Sequence, residues 1–145
     1  MELTGRTMKT LPFLLSAAAL LASPLHAEPA AGAPVGLVPI ATVKNVSPDD
    51  AVKLLKDNPK IVVLDVRTPE EFAAGHIAGA KNVDFKAADF AAKVAALDRK
   101  QTYLVHCAAG GRSGKTLELM KGFVSVYHLD AGFRAWEKAG KPVTK

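Results

Sequence analysis

The chain has 145 residues, of which 49% are hydrophobic and 23% are charged. This balance is typical of a folded globular protein of single-domain size, and it excludes a disordered or fibrous chain. The formal net charge is +5, but the lysines are scattered, which favours small anionic ligands over a nucleic-acid-binding stripe. The four histidines and the one cysteine are dispersed without the paired spacing of a zinc site, so we expect neither a metal nor a cofactor.

Residues 8–27 have the three parts of a secretory signal peptide: a basic start, an apolar run of about a dozen residues and a small residue at the end. We therefore expect residues 1–27 to be a signal peptide that is cleaved after Ala27, with Met8 as an alternative true start. The apolar run is too short to span a bilayer comfortably, so we expect no stable membrane anchor after cleavage. The protein is then periplasmic or secreted; the alternative is a retained membrane-anchoring segment.

The next segment is rich in Pro, Gly and Ala, and we expect residues 28–44 to be a flexible lead to a folded domain over residues 45–145. The only cysteine, Cys107, lies in this domain. An exported chain with one cysteine cannot form an internal disulfide, so Cys107 is expected to be a free thiol or an intermolecular partner.

Helix start signals alternate with apolar runs along the domain. Ser47 and Thr68 each precede a proline and are followed, three residues on, by an acid, which predicts a capped helix at both places. The near-continuous apolar run that ends at Asp65 is typical of a strand buried on both faces of a parallel sheet. In chain order we predict a helix from residue 47 that ends before residue 59, a strand over 60–65, a helix from 68 that ends at 75, a strand over 80–83, a helix over 86–97, a strand over 102–106, a helix over 113–120, a strand over 124–127 and a helix over 132–138. This alternation favours an α/β layered domain with a mainly parallel sheet.

Cys107 lies in a loop of small residues between a predicted strand and a predicted helix. Gly110 and Gly111 permit positive φ, so the loop can turn its amides toward one point beside the unpaired N–H groups of a helix N-terminus. Arg112 adds a cation with five donors that suit an oxyanion. Such a setting stabilises a thiolate, so we predict that Cys107 is a nucleophile. The alternative is an inert, buried thiol.

We predict catalytic roles for Cys107 and Arg112, and substrate binding through the backbone of the other loop residues. The predicted substrate-binding residues are Ala108, Ala109, Gly110, Gly111 and Ser113. Converging amides over this stretch, together with the helix dipole, would stabilise an anionic sulfur before reaction.

Four segments in this order resemble a single rhodanese domain over roughly residues 45–143. They are residues 64–72, 75–80, 107–113 and 130–143. The resemblance implies a rhodanese-like three-layer α/β domain with a mainly parallel central sheet flanked by helices. In that family the cysteine thiolate attacks a sulfane sulfur, as in thiosulfate, and becomes a persulfide that is handed to cyanide or a thiol. By resemblance Cys107 is the nucleophile, and Arg112 holds the anionic donor or its leaving group.

The partners that the resemblance implies are a small anionic sulfur donor and a thiol or cyanide acceptor. An exported redox or sulfur-relay protein is a further candidate partner. Ala108 and Ala109 stand where some thiosulfate-specific relatives carry basic residues, which leaves the donor open.

Four other residues resemble family positions or lie beside the cysteine. Asp65 and Arg67 are expected to order loops rather than to react, and His76 also resembles a loop-fixing residue. His106 directly precedes Cys107, but adjacent strand residues point to opposite faces of a sheet. We therefore expect His106 to be packed or hydrogen-bonded rather than to act as a general base.

Two other functions stay open. The same module can be a non-enzymatic sulfur carrier or a protein-docking domain. A phosphatase or an arsenate-reducing relative is disfavoured by the length of the loop. The resemblance to such relatives implies five residues between the cysteine and the arginine, whereas four residues separate Cys107 from Arg112.

Overall fold

Five parallel strands form one sheet at the centre of residues 42–145, the part of the chain that the computed structural model describes. The predicted signal peptide and residues 28–41 of the predicted lead lie outside these residues. Among residues 42–145, no helix is long and apolar enough to cross a membrane. The elements in chain order are β1 (Thr42–Asn45), α1 (Pro48–Asp57), β2 (Val62–Asp65), α2 (Pro69–Ala74), β3 (Lys81–Asn82), α3 (Phe90–Ala95), β4 (Thr102–His106), α4 (Gly111–Leu119), β5 (Ser125–His128) and α5 (Gly132–Lys138).

The strands are ordered β1-β5-β4-β2-β3, and every neighbouring pair is parallel. One face of the sheet packs against a core that includes Phe90 and Val94 of α3 and Leu117 of α4. The other face packs against α1 and α5, through a core that includes Ala51 and Trp136. This three-layer arrangement confirms the predicted fold class. Because parallel strands end at the same edge of a sheet, the residues at the carboxyl ends of β1, β5, β4 and β2 lie near one another.

The strand β1 shows that the predicted flexible lead is wrong for its last three residues. Thr42–Asn45 pairs in register with Ser125–His128, so residues 42–44 belong to the folded domain. All four side chains of β1 are exposed. The apolar alternation that identifies a half-buried strand is therefore missing from its sequence, and backbone pairing with β5 defines this edge strand.

Two helices also differ from their predicted bounds. The helix predicted over 86–97 is limited to Phe90–Ala95, since the residues before it form a turn in which the amides of Lys86 and Ala87 donate to Asp84. The helix α4 starts at Gly111 rather than at Ser113, because the amide of Gly114 already donates to the carbonyl of Gly110. The remaining predicted elements are present, with ends that differ by a few residues at most.

Candidate active site

The loop after β4 is fixed by hydrogen bonds from the first turn of α5. The amide of Phe133 donates to the Cys107 carbonyl at 2.8 Å, and the amide of Arg134 donates to the Ala108 carbonyl at 3.0 Å. Amides in the first turn of a helix have no intrahelical partner, so α5 supplies them without cost to its own structure. Because N–H and C=O of one peptide unit point in opposite directions, the amides of Ala108 and Ala109 face away from α5.

Two glycines with positive φ allow the loop to lie against the β5–α5 connection. Gly110 has φ +94°, and a Cβ there would lie 1.8 Å from the Asp130 carbonyl oxygen. Gly132 has φ +69°, and a Cβ there would lie 2.6 Å from the backbone of Ala108. Neither position can carry a side chain without moving backbone. The predicted turn at Gly110 is thus present. Glycine is needed there for its positive φ and also for the close approach of the Asp130 carbonyl.

The sulfur of Cys107 lies among hydrogen-bond donors. The amide of Gly110 donates to Sγ at 3.1 Å, and the Ser113 hydroxyl lies 3.4 Å from Sγ. Cys107 is only 2% exposed, and this burial raises the pKa of its thiol. The Ser113 side chain and the amides of Ser113, Ala109 and Gly110 act in the opposite direction and prevail, so the pKa of Cys107 is lowered overall. The site therefore favours a thiolate.

Arg112, in the first turn of α4, pairs with Glu71 of α2. Its Nη1 lies 2.7 Å from Glu71 Oε2 and its Nη2 lies 2.9 Å from Oε1, a two-pronged ion pair. Hydrogen bonding to Arg112 lowers the pKa of Glu71 to about 2, and the same bond raises the pKa of Arg112. Glu71 also accepts from the amide of Thr68 at 2.9 Å, within the capping box of α2. Sequence reasoning used Glu71 only as part of that cap and missed its contact with Arg112.

A depression of about 220 Å³ lies beside the loop, with Ala108, Glu71 and Arg134 among its lining residues. Phe133 and Arg134 of α5 line it, so it lies on the side of the loop that faces α5, and Cys107 is not among its lining residues. Of the predicted substrate-binding residues, Ala109 and Gly111 are exposed, Ala108 and Gly110 are half-buried, and Ser113 is buried.

Asp65 and Arg67 form a buried pair that orders the loop after β2. Arg67 Nη2 lies 2.6 Å from Asp65 Oδ2 and donates to the Gly75 carbonyl at 2.7 Å. The guanidinium of Arg67 also lies 3.9 Å from the centre of the Phe133 ring. These contacts agree with the predicted structural role of both residues.

His106 and His128 lie on opposite faces of the sheet. His106 is fully buried and stacks on Phe133, with Nδ1 3.2 Å from the Cys107 carbonyl oxygen. Burial lowers its pKa, and it is packed as predicted. His128 lies on the face of Cys107, with Nε2 2.8 Å from the Ser113 hydroxyl. Sequence reasoning missed His128; the available signal was its place at the end of a strand adjacent to β4.

Comparison with protein-family models identifies the family of this domain. The model of the rhodanese-like domain matches residues 47–139. The chain belongs to the rhodanese-like domain family. Thiosulfate sulfurtransferase GlpE of Pseudomonas aeruginosa is 35% identical over 98 residues, which cover 66% of this chain and 84% of that protein. Thiosulfate sulfurtransferase 16, chloroplastic, of Arabidopsis thaliana is 41% identical over 91 residues, covering 54% of this chain and 76% of that one.

Solved structures agree with this assignment. The crystal structure of a rhodanese-related protein from Thermoplasma volcanium aligns with a TM-score of 0.55 at 32% identity, and covers 70% of this chain and 97% of that one. The resemblance to a rhodanese domain is thus confirmed. In this rhodanese-like domain, Ser113 and the backbone of Gly110 lie at the sulfur of Cys107, while Arg112 lies against Glu71.

Proposed function

We propose that the chain is a sulfurtransferase that moves a sulfane sulfur from thiosulfate or a related donor to cyanide or a thiol through a Cys107 persulfide. The observation that carries the proposal is the set of donors at Sγ, with the amide of Gly110 at 3.1 Å and the Ser113 hydroxyl at 3.4 Å. Relatives named thiosulfate sulfurtransferase support it.

In the first half-reaction, the Cys107 thiolate attacks the outer sulfur of thiosulfate. The new bond joins Sγ to that sulfur, and the S–S bond of thiosulfate breaks, so sulfite leaves with the electron pair. The products are sulfite and a persulfide anion on Cys107, and no oxidant is needed. The amides that favour the thiolate also stabilise the persulfide, because both carry one negative charge in the same loop.

In the second half-reaction, the acceptor attacks the terminal sulfur of the persulfide. With cyanide, a C–S bond forms, the S–S bond to Cys107 breaks, and thiocyanate leaves while the thiolate is restored. Arg112 holds the anionic donor or the leaving sulfite at the edge of the loop. Its guanidinium has five N–H donors, so donors remain for sulfur oxyanions beside the two-pronged contact to Glu71.

Intact-protein mass spectrometry tests the proposal. Thiosulfate is expected to add the mass of one sulfur atom, and cyanide to remove it with release of thiocyanate. The Cys107→Ser variant keeps the size of the side chain and is expected to show neither change. An active Cys107→Ser variant, or a wild-type chain that gains no sulfur, would contradict the proposal. An aryl phosphate assayed in parallel separates it from phosphatase activity.

A non-enzymatic sulfur carrier is the second candidate, and the burial of Cys107 favours it, because only 2% of the residue is exposed. A carrier would hold the persulfide and release it slowly to small acceptors. The same experiment discriminates: a stable persulfide with negligible thiocyanate production indicates a carrier, whereas repeated turnover indicates an enzyme.

We also propose that the protein is exported and acts in the periplasm or outside the cell. The signal-peptide pattern of residues 8–27 supports this location. Cell fractionation followed by mass spectrometry is expected to recover a chain that begins at Glu28 outside the cytoplasm. An uncleaved chain in the cytoplasmic fraction would contradict export.

A further inference from the structure

A chain of polar contacts leads from Cys107 to the edge of the sheet. Ser113 Oγ lies 3.4 Å from Cys107 Sγ and 2.8 Å from Nε2 of His128. On the other side of the imidazole ring, Nδ1 lies 3.2 Å from Oδ1 of Asn45. Ser113 is fully buried and His128 is 6% exposed, so solvent is largely excluded from the contact between them.

Strand register explains why these residues meet. His128 lies opposite Asn45 in the β1–β5 pair and opposite Val105 in the β4–β5 pair. Side chains alternate along a strand, so His128 shares a face with Val126, just as Cys107 follows the face of Val105. Val105, Cys107 and Val126 belong to the same core cluster. His128 is therefore on the face of Cys107, whereas the adjacent His106 is not.

The contacts fit one placement of the hydrogen atoms. With the hydrogen of the neutral ring on Nδ1, that N–H donates to Asn45 Oδ1, and Nε2 is an acceptor. The Ser113 hydroxyl then donates to Nε2 at 2.8 Å, which is nearer than the Gly110 carbonyl oxygen at 3.1 Å, and its oxygen can accept the S–H of Cys107. In this arrangement every donor between Cys107 and Asn45 has an acceptor.

We propose that His128 receives the proton of the Cys107 thiol through the Ser113 hydroxyl, with Asn45 holding the imidazole ring in place. The S–H bond of Cys107 breaks as its proton moves to Ser113 Oγ. The original O–H bond of Ser113 breaks as that proton moves to Nε2. The result is a thiolate and an imidazolium, with the serine hydroxyl restored and no other reactant. The proposal rests on the proposed function, since it supplies the thiolate that the function requires.

After the transfer, the two contacts of the Ser113 hydroxyl reverse direction, and the Nδ1–H of His128 still donates to Asn45 Oδ1. Nε2–H donates to Ser113 Oγ, and the Ser113 hydroxyl donates to the sulfur. The positive ring then remains one hydroxyl away while Cys107 is a thiolate or a persulfide. His128 acts through Ser113 and does not touch the substrate, so it is a positioning residue for the proton.

The surroundings of His128 favour its neutral ring while Cys107 is a thiol. Burial lowers its pKa, while Asp130, two residues further along the chain, acts in the opposite direction; the net pKa is lowered. His106, on the opposite face of the sheet, also interacts with His128. His128 is thus expected to be neutral when no anionic sulfur is present. When Cys107 has given up its proton, the negative charge of the sulfur, one hydroxyl away, must offset the effect of burial and stabilise the imidazolium.

Ultraviolet absorbance of the thiolate as a function of pH tests the relay. The chain has one cysteine, so the difference between wild type and Cys107→Ser reports Cys107 alone. The His128→Gln variant can keep a hydrogen bond to Ser113 but cannot take a proton. It is expected to raise the pH midpoint of the thiolate titration by about one unit, which corresponds to a tenfold change in the ionisation constant of Cys107. Asn45→Ala, at an exposed edge position, is expected to give a smaller shift in the same direction.

The matched control is His76→Gln, because His76 Nδ1 contacts the Phe72 carbonyl instead of Ser113. It is expected to leave the thiolate titration unchanged. A His128→Gln variant that folds and titrates as the wild type does would overturn the relay.

Nitrogen NMR of the His128 ring gives a second readout, which a purely structural role would not change. At neutral pH the ring is expected to be protonated in the wild type and neutral in Cys107→Ser. Equal protonation in both proteins would overturn the proposal. Persulfide formation keeps the two proposals separate: if the thiolate titration shifts as expected but thiosulfate adds no sulfur at any pH, the relay stands and the sulfurtransferase proposal fails.

Discussion

Arg112 and Glu71 face each other at the edge of the cysteine loop, with N–O distances of 2.7 and 2.9 Å. The acid comes from the capping box of α2 and the base from the first turn of α4. Arg112, which we propose binds the anionic donor, is therefore already paired with a carboxylate. We expect this pair to set how strongly the site attracts the proposed dianionic donor, thiosulfate.

Substitution of Glu71 by Gln is expected to strengthen donor binding. Gln can still accept from the Thr68 amide, so the cap of α2 is kept, but the charge on Arg112 is no longer compensated. We expect the KM for thiosulfate to fall by a factor of about 1.4 to 5, since partly exposed ion pairs contribute about 0.2–1 kcal/mol. Steady-state kinetics measures this change, with Glu70→Gln as the neighbouring control. A higher KM would mean that Glu71 serves mainly to hold Arg112 in position.

The same pair predicts a loss of stability in acid. The pKa of Glu71 is lowered from 4.5 to about 2 in the folded protein. A lowered carboxyl pKa stabilises the fold above pH 4.5, and this contribution is lost as the pH falls from 4.5 toward 2. Urea unfolding across this range is expected to show a shallower pH dependence for Glu71→Gln than for the wild type. An equal pH dependence of the unfolding free energy in both proteins would show that the ion pair contributes no net stability.

Gly110→Ala is expected to abolish persulfide formation. A Cβ at this position would meet the Asp130 carbonyl at 1.8 Å, and alanine would also be strained by about 1–3 kcal/mol at φ +94°. The loop or the β5–α5 connection must move, and the Gly110 amide then leaves Sγ. Gly114→Ala, inside α4, is the matched control, because no atom beyond its own helix backbone and chain neighbours lies within 4 Å of its Cβ position. Mass spectrometry after thiosulfate treatment, with thermal unfolding in parallel, is expected to separate the two variants. Equal persulfide yields would contradict the importance of the Gly110 amide.

The elements that the sequence predicted best are those with strong local signals. The capping residues Ser47 and Thr68 bond to the backbone amides that were expected, and the apolar strand before Cys107 is buried. Local signals also indicated the loop at Cys107, since glycines and a helix start are visible in one short stretch.

What the sequence did not predict depends on pairing across the fold. The strand Thr42–Asn45 has no apolar side of its own and is defined by β5. Likewise, His128 meets Ser113, and Glu71 meets Arg112, only because strand order and register bring distant segments to one edge. Such contacts require the order β1-β5-β4-β2-β3, which alternation of elements alone does not specify.

Arg67→Met is expected to destabilise the fold more than any loss of a surface charge. Asp65 is fully buried and Arg67 is 4% exposed, so the variant leaves a buried carboxylate without its cation. Breaking such a pair costs about 3–5 kcal/mol of unfolding free energy. Arg99→Met, at an exposed position, is expected to change the unfolding free energy by less than about 0.5 kcal/mol. Urea unfolding at neutral pH compares the two variants. If Arg67→Met unfolds at the same urea concentration as Arg99→Met, the buried pair does not hold the loop after β2, and another contact must fix the position of Gly75.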